Sequence, residues 1–331
     1  MALVPMKQIL DEARKKGYGV GAYNVNNMEQ IQAIMMAAKK TQSPVIIQAS
    51  RGALKYSNFT YLKHLMLAAV EENPEIPIAM HLDHGNSLES VKKAISLGFS
   101  SVMIDGSLLE DGKTASDYKY NIEVTKSVVE YAHKYGVTVE GEIGTLGGIE
   151  DGVGSGKIHL TDPEEAKRFV DDTKLDALAI AIGTSHGAYK FKGSKNLAFD
   201  VLEKVRKLID IPIVLHGASS VPQELIDSVN KYGGKMPGAT GVPMDNLQKA
   251  IKMGVSKINV DTDGRLAITA EIRKVFALTP EKFDPRDYLG PARDSLALII
   301  EGKMKDFGTA GHAGDYKPMS LDDMKKFYAN K

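Results

Sequence analysis

The sequence predicts a (β/α)8 TIM barrel with a C-terminal helical extension, and three observations predict it. Short β-branched or apolar runs recur eight times along the chain. Stretches with helical periodicity separate them, and strands alternating with helices imply parallel βαβ units. Nearly every apolar run ends in polar, chemistry-bearing residues, and barrels of this kind place their functional groups at the C-terminal ends of strands. The runs cover residues 18–24, 44–50, 76–83, 101–105, 137–143, 177–183, 211–216 and 256–260. Eight such units over about 250 residues match the size of the fold. A doubly wound sheet would show the same alternation, but no glycine-rich dinucleotide fingerprint follows the first run.

Taken in order, the first run closes on Asn24 and leads into a helix whose Met28, Ile31 and Met35 share a face. The second ends in Gln48-Ala49-Ser50, the third in Asp83-His84, the fourth in Asp105 and the fifth in Glu142. Asp162-Pro163-Glu164-Glu165 then opens a helix with an N-cap, a first-turn proline and acids that suit the helix dipole. The sixth run leads to Thr184-Ser185-His186-Gly187, the seventh to His216-Gly217-Ala218-Ser219 and the eighth to Asn259-Val260-Asp261-Thr262-Asp263. From about residue 280 the chain reads as a helical extension of one domain spanning 1–331, with no low-complexity linker.

Composition narrows the chemistry. The 331 residues are 43% hydrophobic and 25% charged, an ordinary globular balance. Forty-two basic residues offset 42 acidic ones, which removes any global drive toward nucleic acid or anionic membrane. No cysteine is present, so disulfides, thiolate zinc sites and cysteine nucleophiles are excluded. The N-terminal MALVPMKQIL lacks the features of a signal peptide. No apolar run approaches the ~18 residues of a membrane helix. The cytoplasm is the expected compartment.

Of eight histidines, His84, His186 and His216 each close a different strand and each precedes glycine. Each alone would read as a core residue satisfied by a neighbouring carbonyl. Three at equivalent strand ends favour a tridentate metal site with an open fourth position. His81 sits deeper, on the parity of Asp83, and reads as a core or supporting residue. His64, His133, His159 and His312 read as solvated or structural. Glu142 needs a partner at its strand end: a histidine, a lysine or a second cation.

Glycine N–H groups and hydroxyls at the ends of the sixth and seventh strands suit a phosphate, with Lys190 nearby to add charge. The competing reading is tight βα turns and nothing more. Arg265 reads as a reach toward a second anion or as a solvated helix residue. A glycine-rich stretch from Gly144 to Gly156 suits a lid that brings Glu150 over the site on closing. The bland alternative is a surface loop with solvated acids.

Together these motifs resemble the class II, metal-dependent fructose-bisphosphate aldolases. The most specific pieces are His81-Leu-Asp-His-Gly, Ala181-Ile-Gly-Thr-Ser-His-Gly-Ala-Tyr-Lys, Leu215-His-Gly-Ala-Ser-Ser and Asn259-Val-Asp-Thr-Asp, in the family's order and on predicted strand ends. The resemblance implies zinc on His84, His186 and His216, stabilising an enediolate as the C3–C4 bond of fructose 1,6-bisphosphate breaks. It implies Asp83 as acid/base at the C4 hydroxyl and Glu150 as the lid carboxylate that exchanges a proton with the enediolate. Gly187, Lys190, Gly217, Ser219, Asn259 and Thr262 match positions that grip the ketose-end phosphate. Asn24, Ser50 and Asp261 match substrate contacts, and Arg265 matches an arginine reaching the other phosphate from a partner subunit, so a homodimer or homotetramer is expected. The family also implies a monovalent cation, sodium or potassium, beside the first phosphate. Some members shift the metal toward a buried site here formed by Asp105 and Glu142.

One departure from the family pattern is visible: where many relatives carry a His-rich segment after the fourth strand, this chain has 106–112, followed by added polar residues to Tyr120. Four rivals remain. A tagatose-bisphosphate aldolase differs in sugar configuration at C4, and Asp261 favours fructose because tagatose-type members tend to carry a small residue there. A Schiff-base aldolase needs a buried strand lysine, and Lys257 reads as lying at the wrong end of its strand. A metallohydrolase leaves the phosphate grips unexplained. A non-catalytic sugar-phosphate binder needs neither Asp83 nor zinc.

Overall fold

Eight parallel strands pair in chain order and close on themselves, the first beside the eighth. They are β1 Val20–Asn24, β2 Val45–Ser50, β3 Ile78–Gly85, β4 Ser101–Ile104, β5 Thr138–Ile143, β6 Ala177–Ile180, β7 Ile213–Leu215 and β8 Val255–Val260. The computed structural model describes residues 2–148, 158–189 and 197–330. All eight predicted strands are present. Several are shorter than the apolar runs, because residues such as Tyr18 and Ile182 pack in the core beyond the last ladder pairing.

Side-chain alternation sorts the strands into two surfaces. Ile78, Met80 and Leu82 of β3, like Ile258 and Val260 of β8, face the surrounding helices and join the main core. Inside the barrel, composition changes with depth. At the N-terminal ends of the strands Val20, Ala22, Ile46, Ala79, Ala177, Ala179 and Val214 form an apolar layer. The helix Met6–Lys16 seals that layer with Met6, Ile9, Leu10 and Ala13. The strand pattern does not anticipate this helix, which lies outside the βαβ alternation. Above it the interior turns polar: Gln48, His81, Glu140 and Lys257 are all fully buried.

The C-terminal extension is helical as expected. The helix Pro285–Asp306 packs on Met28–Thr41 and on Thr262–Leu278. A last helix, Leu321–Ala329, docks near the barrel's lower end, where Tyr328 stacks on His133 with centroids 3.6 Å apart and donates to Asp176 Oδ2 at 2.8 Å. Residues 106–116 form a closed polar turn. Leu108 bridges Ala115, and Asp111 accepts from the backbone of Lys113 and Thr114 at 2.8 Å each.

Candidate metal centre and substrate cavity

The C-terminal strand ends converge on a cavity of about 210 Å³. Its wall includes Asn24, Ser50, Asp83, His84, His186, Gly217, Ser219, Asn259 and Asp261, nine of the residues singled out from sequence. Asp83 and His84 both reach it although they are neighbours. The reason is at His84 itself, which takes φ +49, while the β3–β4 register shifts between Leu82 and Gly85. The chain therefore bends at the histidine and not at the glycine that follows. A left-handed histidine is uncommon and costs on the order of 1–3 kcal/mol, which the surrounding contacts must offset.

Those contacts are specific. His84 Nδ1 donates to Asp105 Oδ2 at 3.1 Å, Asp105 accepts from Ser107 Oγ at 2.6 Å, and Arg51 Nε donates to the His84 carbonyl at 3.1 Å. On the other side of the ring, His84 Nε2 lies 3.0 Å from His216 Nδ1. The His186 ring centroid stands 5.1 Å from that of His84 and 6.4 Å from that of His216. His84, His216 and Asp83 bring donor atoms within 4.8 Å of one another, and so do His84, Asp105 and Glu142. His84 thus belongs to both sets.

Asp83 is held on both oxygens. Asn259 Nδ2 donates to Oδ1 at 3.1 Å and Asn24 Nδ2 to Oδ2 at 3.0 Å, while Gln48 Nε2 donates to Asn24 Oδ1 at 2.6 Å. Burial pushes this carboxyl up, but His84, His216 and Lys257 pull it below its usual value, so it is ionised. Burial disfavours a charged His84, yet Asp83 and Asp105 more than compensate and push the imidazole up to about 10. Burial, with His84 and Lys257, drives His216 well down and leaves it neutral. Glu142 is raised well above the carboxylate range by burial and by Asp105, and its Oε2 has no hydrogen-bond partner among the described residues. A position that holds a proton on imidazole so tightly favours positive charge there. With an orphaned buried oxygen and imidazole nitrogens converging, the donor set fits a divalent cation.

The β6 and β7 loops touch backbone to backbone. Gly217 has φ +59, and a Cβ there would meet the Ser185 carbonyl oxygen at 2.6 Å, so only glycine fits. Gly187 follows His186 with φ +79. Thr262 opens the helix Thr262–Leu278, and Asp261 N donates to Ser219 Oγ at 3.3 Å. Arg265 Nε donates to Asp261 Oδ1 at 2.8 Å, so it turns onto its own chain's cavity wall. Glu150 and Lys190 lie outside the described residues.

Other contributors escape a reading from strand ends alone. Arg51, Gly52 and Lys55 line the cavity just past Ser50, and the i, i+4 spacing of the two cations on a helix was the available signal. Lys257 is not at an irrelevant end of β8. It points into the barrel beneath the cavity and pairs with Glu140 at 2.9 Å, with both side chains fully buried. The period-2 pairs His81/Asp83, Glu140/Glu142 and Lys257/Asn259 carry that signal.

Comparison with known proteins agrees with this geometry. Residues 4–312 match the family model described as fructose-bisphosphate aldolase class-II. A fructose-bisphosphate aldolase from Giardia intestinalis is 58% identical over 330 residues, covering 99% of this chain and all of the relative. A fructose-bisphosphate aldolase class 2 from Synechocystis is 51% identical over 345 residues, covering 99% and 96%. The crystal structure of the YdjI aldolase from Escherichia coli K12 superposes with a TM-score of 0.76 at 29% identity, covering 94% of this chain and 99% of that one. With strand-end chemistry, barrel and full-length similarity in agreement, the chain belongs to the class-II fructose-bisphosphate aldolase family.

Proposed function

We propose that this protein reversibly cleaves D-fructose 1,6-bisphosphate to dihydroxyacetone phosphate and D-glyceraldehyde 3-phosphate, the aldol step of glycolysis and gluconeogenesis. The observation that carries the reading is a carboxylate, Asp83, held by two amides and turned into one cavity beside the converging nitrogens of His84 and His216. In this reading His84, His186 and His216 hold zinc, with Asp105 and Glu142 as an alternative inner position sharing His84. When bound, the metal supplies a Lewis acid that offsets the negative charge released as C3–C4 breaks.

The chain's own residues do the rest. Asp83 accepts the C4 hydroxyl proton as the aldehyde forms, and the Asn24 and Asn259 amides hold its oxygens toward the substrate. Glu150 is assigned the return of a proton to C3. Gly187, Lys190, Gly217, Ser219, Asn259 and Thr262 are assigned to the ketose-end phosphate, with a sodium or potassium ion beside it. Ser50, Arg51 and Lys55, with Arg265, form the aldehyde-end grip, and Asp261 contacts the sugar between the two ends. Holding both phosphates fixes C3–C4 over the metal, which lowers the entropic part of the barrier. A homodimer or homotetramer is supported by exposed apolar residues on the C-terminal helices and their link, Leu278, Phe283 and Leu298. Cytoplasmic location accords with the lack of any membrane-length apolar helix among the described residues.

The test is a parallel assay of fructose 1,6-bisphosphate and tagatose 1,6-bisphosphate, with triose products measured directly. Faster cleavage of fructose supports the assignment. Faster cleavage of tagatose reassigns the sugar, and turnover of neither removes the aldolase reading.

A further inference from the structure

Below the cavity floor lies a chain of buried polar groups that the cleavage chemistry does not use. Glu140 Oε1 accepts from His216 Nε2 at 2.8 Å and from Lys257 Nζ at 3.2 Å, and its Oε2 lies 2.9 Å from the same ammonium. Lys257 Nζ is also 3.4 Å from His81 Nε2, and His81 Nδ1 is 2.8 Å from Ser101 Oγ. His81, Glu140 and Lys257 are all fully buried in the barrel interior. Burying such an ion pair adds little net stability over apolar residues of similar size, so stability alone does not account for it.

The contacts around His216 are asymmetric. Among the described residues its Nε2 meets an acceptor, the Glu140 carboxylate, and so carries the proton. Its Nδ1 accepts from the Asn259 amide at 3.1 Å, whose other contact is the Asp83 carboxylate, and lies 3.0 Å from His84 Nε2. The Nδ1 lone pair is therefore directed at the place where His84 and the cavity meet. We propose that the Lys257–Glu140 pair is the positioning element of the metal centre, fixing the ring orientation and tautomer of His216 so that Nδ1 is presented as a ligand. A carboxylate behind an imidazole also raises the basicity of the ligating nitrogen. Lys257 pairs with Glu140 and fixes it in place, and so acts on the metal through two intermediaries. Neither residue touches substrate.

This inference rests on the metal reading above, and the test separates the two. Zinc affinity is measured by competition with a chelating dye for wild-type protein and two double variants, with the thermal midpoint of the metal-free protein recorded alongside. Removing both charges avoids leaving either buried and unpaired. Glu140→Leu with Lys257→Met deletes the acceptor, and zinc affinity is expected to fall about 10- to 100-fold with the metal-free midpoint held or raised. Glu140→Gln with Lys257→Met leaves an amide oxygen to accept from Nε2, and it is expected to recover most of that loss. Equal affinity in all three proteins, or affinity lost only in step with the midpoint, overturns the inference while leaving the metal reading intact. Wild-type protein that binds no zinc overturns both. A second measurement needs no variant: histidine-selective ¹⁵N spectra of metal-free wild-type protein should show His216 as the Nε2–H tautomer, and the Nδ1–H tautomer would contradict the proposal.

Discussion

Asp83 works because its surroundings leave it charged in a place where burial alone would protonate it. Asp83→Asn keeps the shape and removes the base, so kcat is expected to fall by about 10²- to 10⁴-fold while zinc still binds. Full turnover in that variant would remove Asp83 from the reaction. Arg51 and Lys55 pose a narrower question, because fructose 1-phosphate lacks the phosphate they are assigned to hold. Replacing both with Met should raise KM for the bisphosphate by on the order of tenfold or more, the scale of one charge-assisted contact. Cleavage of fructose 1-phosphate should be unchanged, and a parallel loss on both sugars would contradict the assignment. At this scale the strand-end residues were legible because barrels concentrate chemistry there. Two things were not. The bend at His84 is a backbone conformation that histidine adopts only under tertiary constraint. The Lys257–Glu140 pair joins residues 117 positions apart, and no local pattern reports a partner at that distance.

Among the elements, the β7 loop that carries Gly217 and Ser219 is fixed from outside the cavity. Val221 sits at φ +47, a conformation that a β-branched residue resists. Asp263 holds it there: Oδ1 accepts from Val221 N at 2.7 Å and Oδ2 from Ser220 N at 2.9 Å. Lys303, from the helix Pro285–Asp306, pairs with the same carboxylate at 2.5 Å and donates to Ser220 Oγ at 2.8 Å. The C-terminal extension thus reaches back to brace a loop of the site. Asp263→Ala leaves Lys303 buried without its counter-charge and should cost about 3–5 kcal/mol in urea unfolding. A loss below about 1 kcal/mol would show that the clamp contributes little. The 106–116 turn gives a pH prediction. Hydrogen bonds from Thr114 and Lys113 hold the Asp111 carboxyl down to about 2, against an ordinary 3.8. Its contribution is complete above the ordinary value and is lost as pH falls through about 2. Protection factors for amide exchange at Lys113 and Thr114, corrected for the intrinsic pH dependence of exchange, should hold at pH 5 and fall toward pH 2, and a fall already complete at pH 4 would contradict this. Asp111 supplies the closing contacts of this polar segment itself.

For the whole molecule, the interior runs from apolar to polar along the barrel axis. The N-terminal helix closes the apolar end, and the polar end opens as the cavity. Eightfold strand–helix alternation made the barrel legible, and the capping helix was missed because it has no place in that alternation, although Met6, Ile9, Leu10 and Ala13 mark one face. Strand limits slipped by up to three residues, in places because apolar side chains such as Ile182 stay buried beyond the last ladder bond and at β3 because pairing continues through Gly85. The buried charges outside the cavity wall are paired with one another, Lys257 with Glu140 and Lys303 with Asp263. We propose that a metal held by His84, His186 and His216 runs fructose 1,6-bisphosphate cleavage. It is tested most directly by assaying the purified protein as isolated, after EDTA and dialysis, and after zinc is restored. Cleavage is expected to disappear on chelation and return with zinc, and undiminished cleavage by metal-free protein would remove the metal from the reaction.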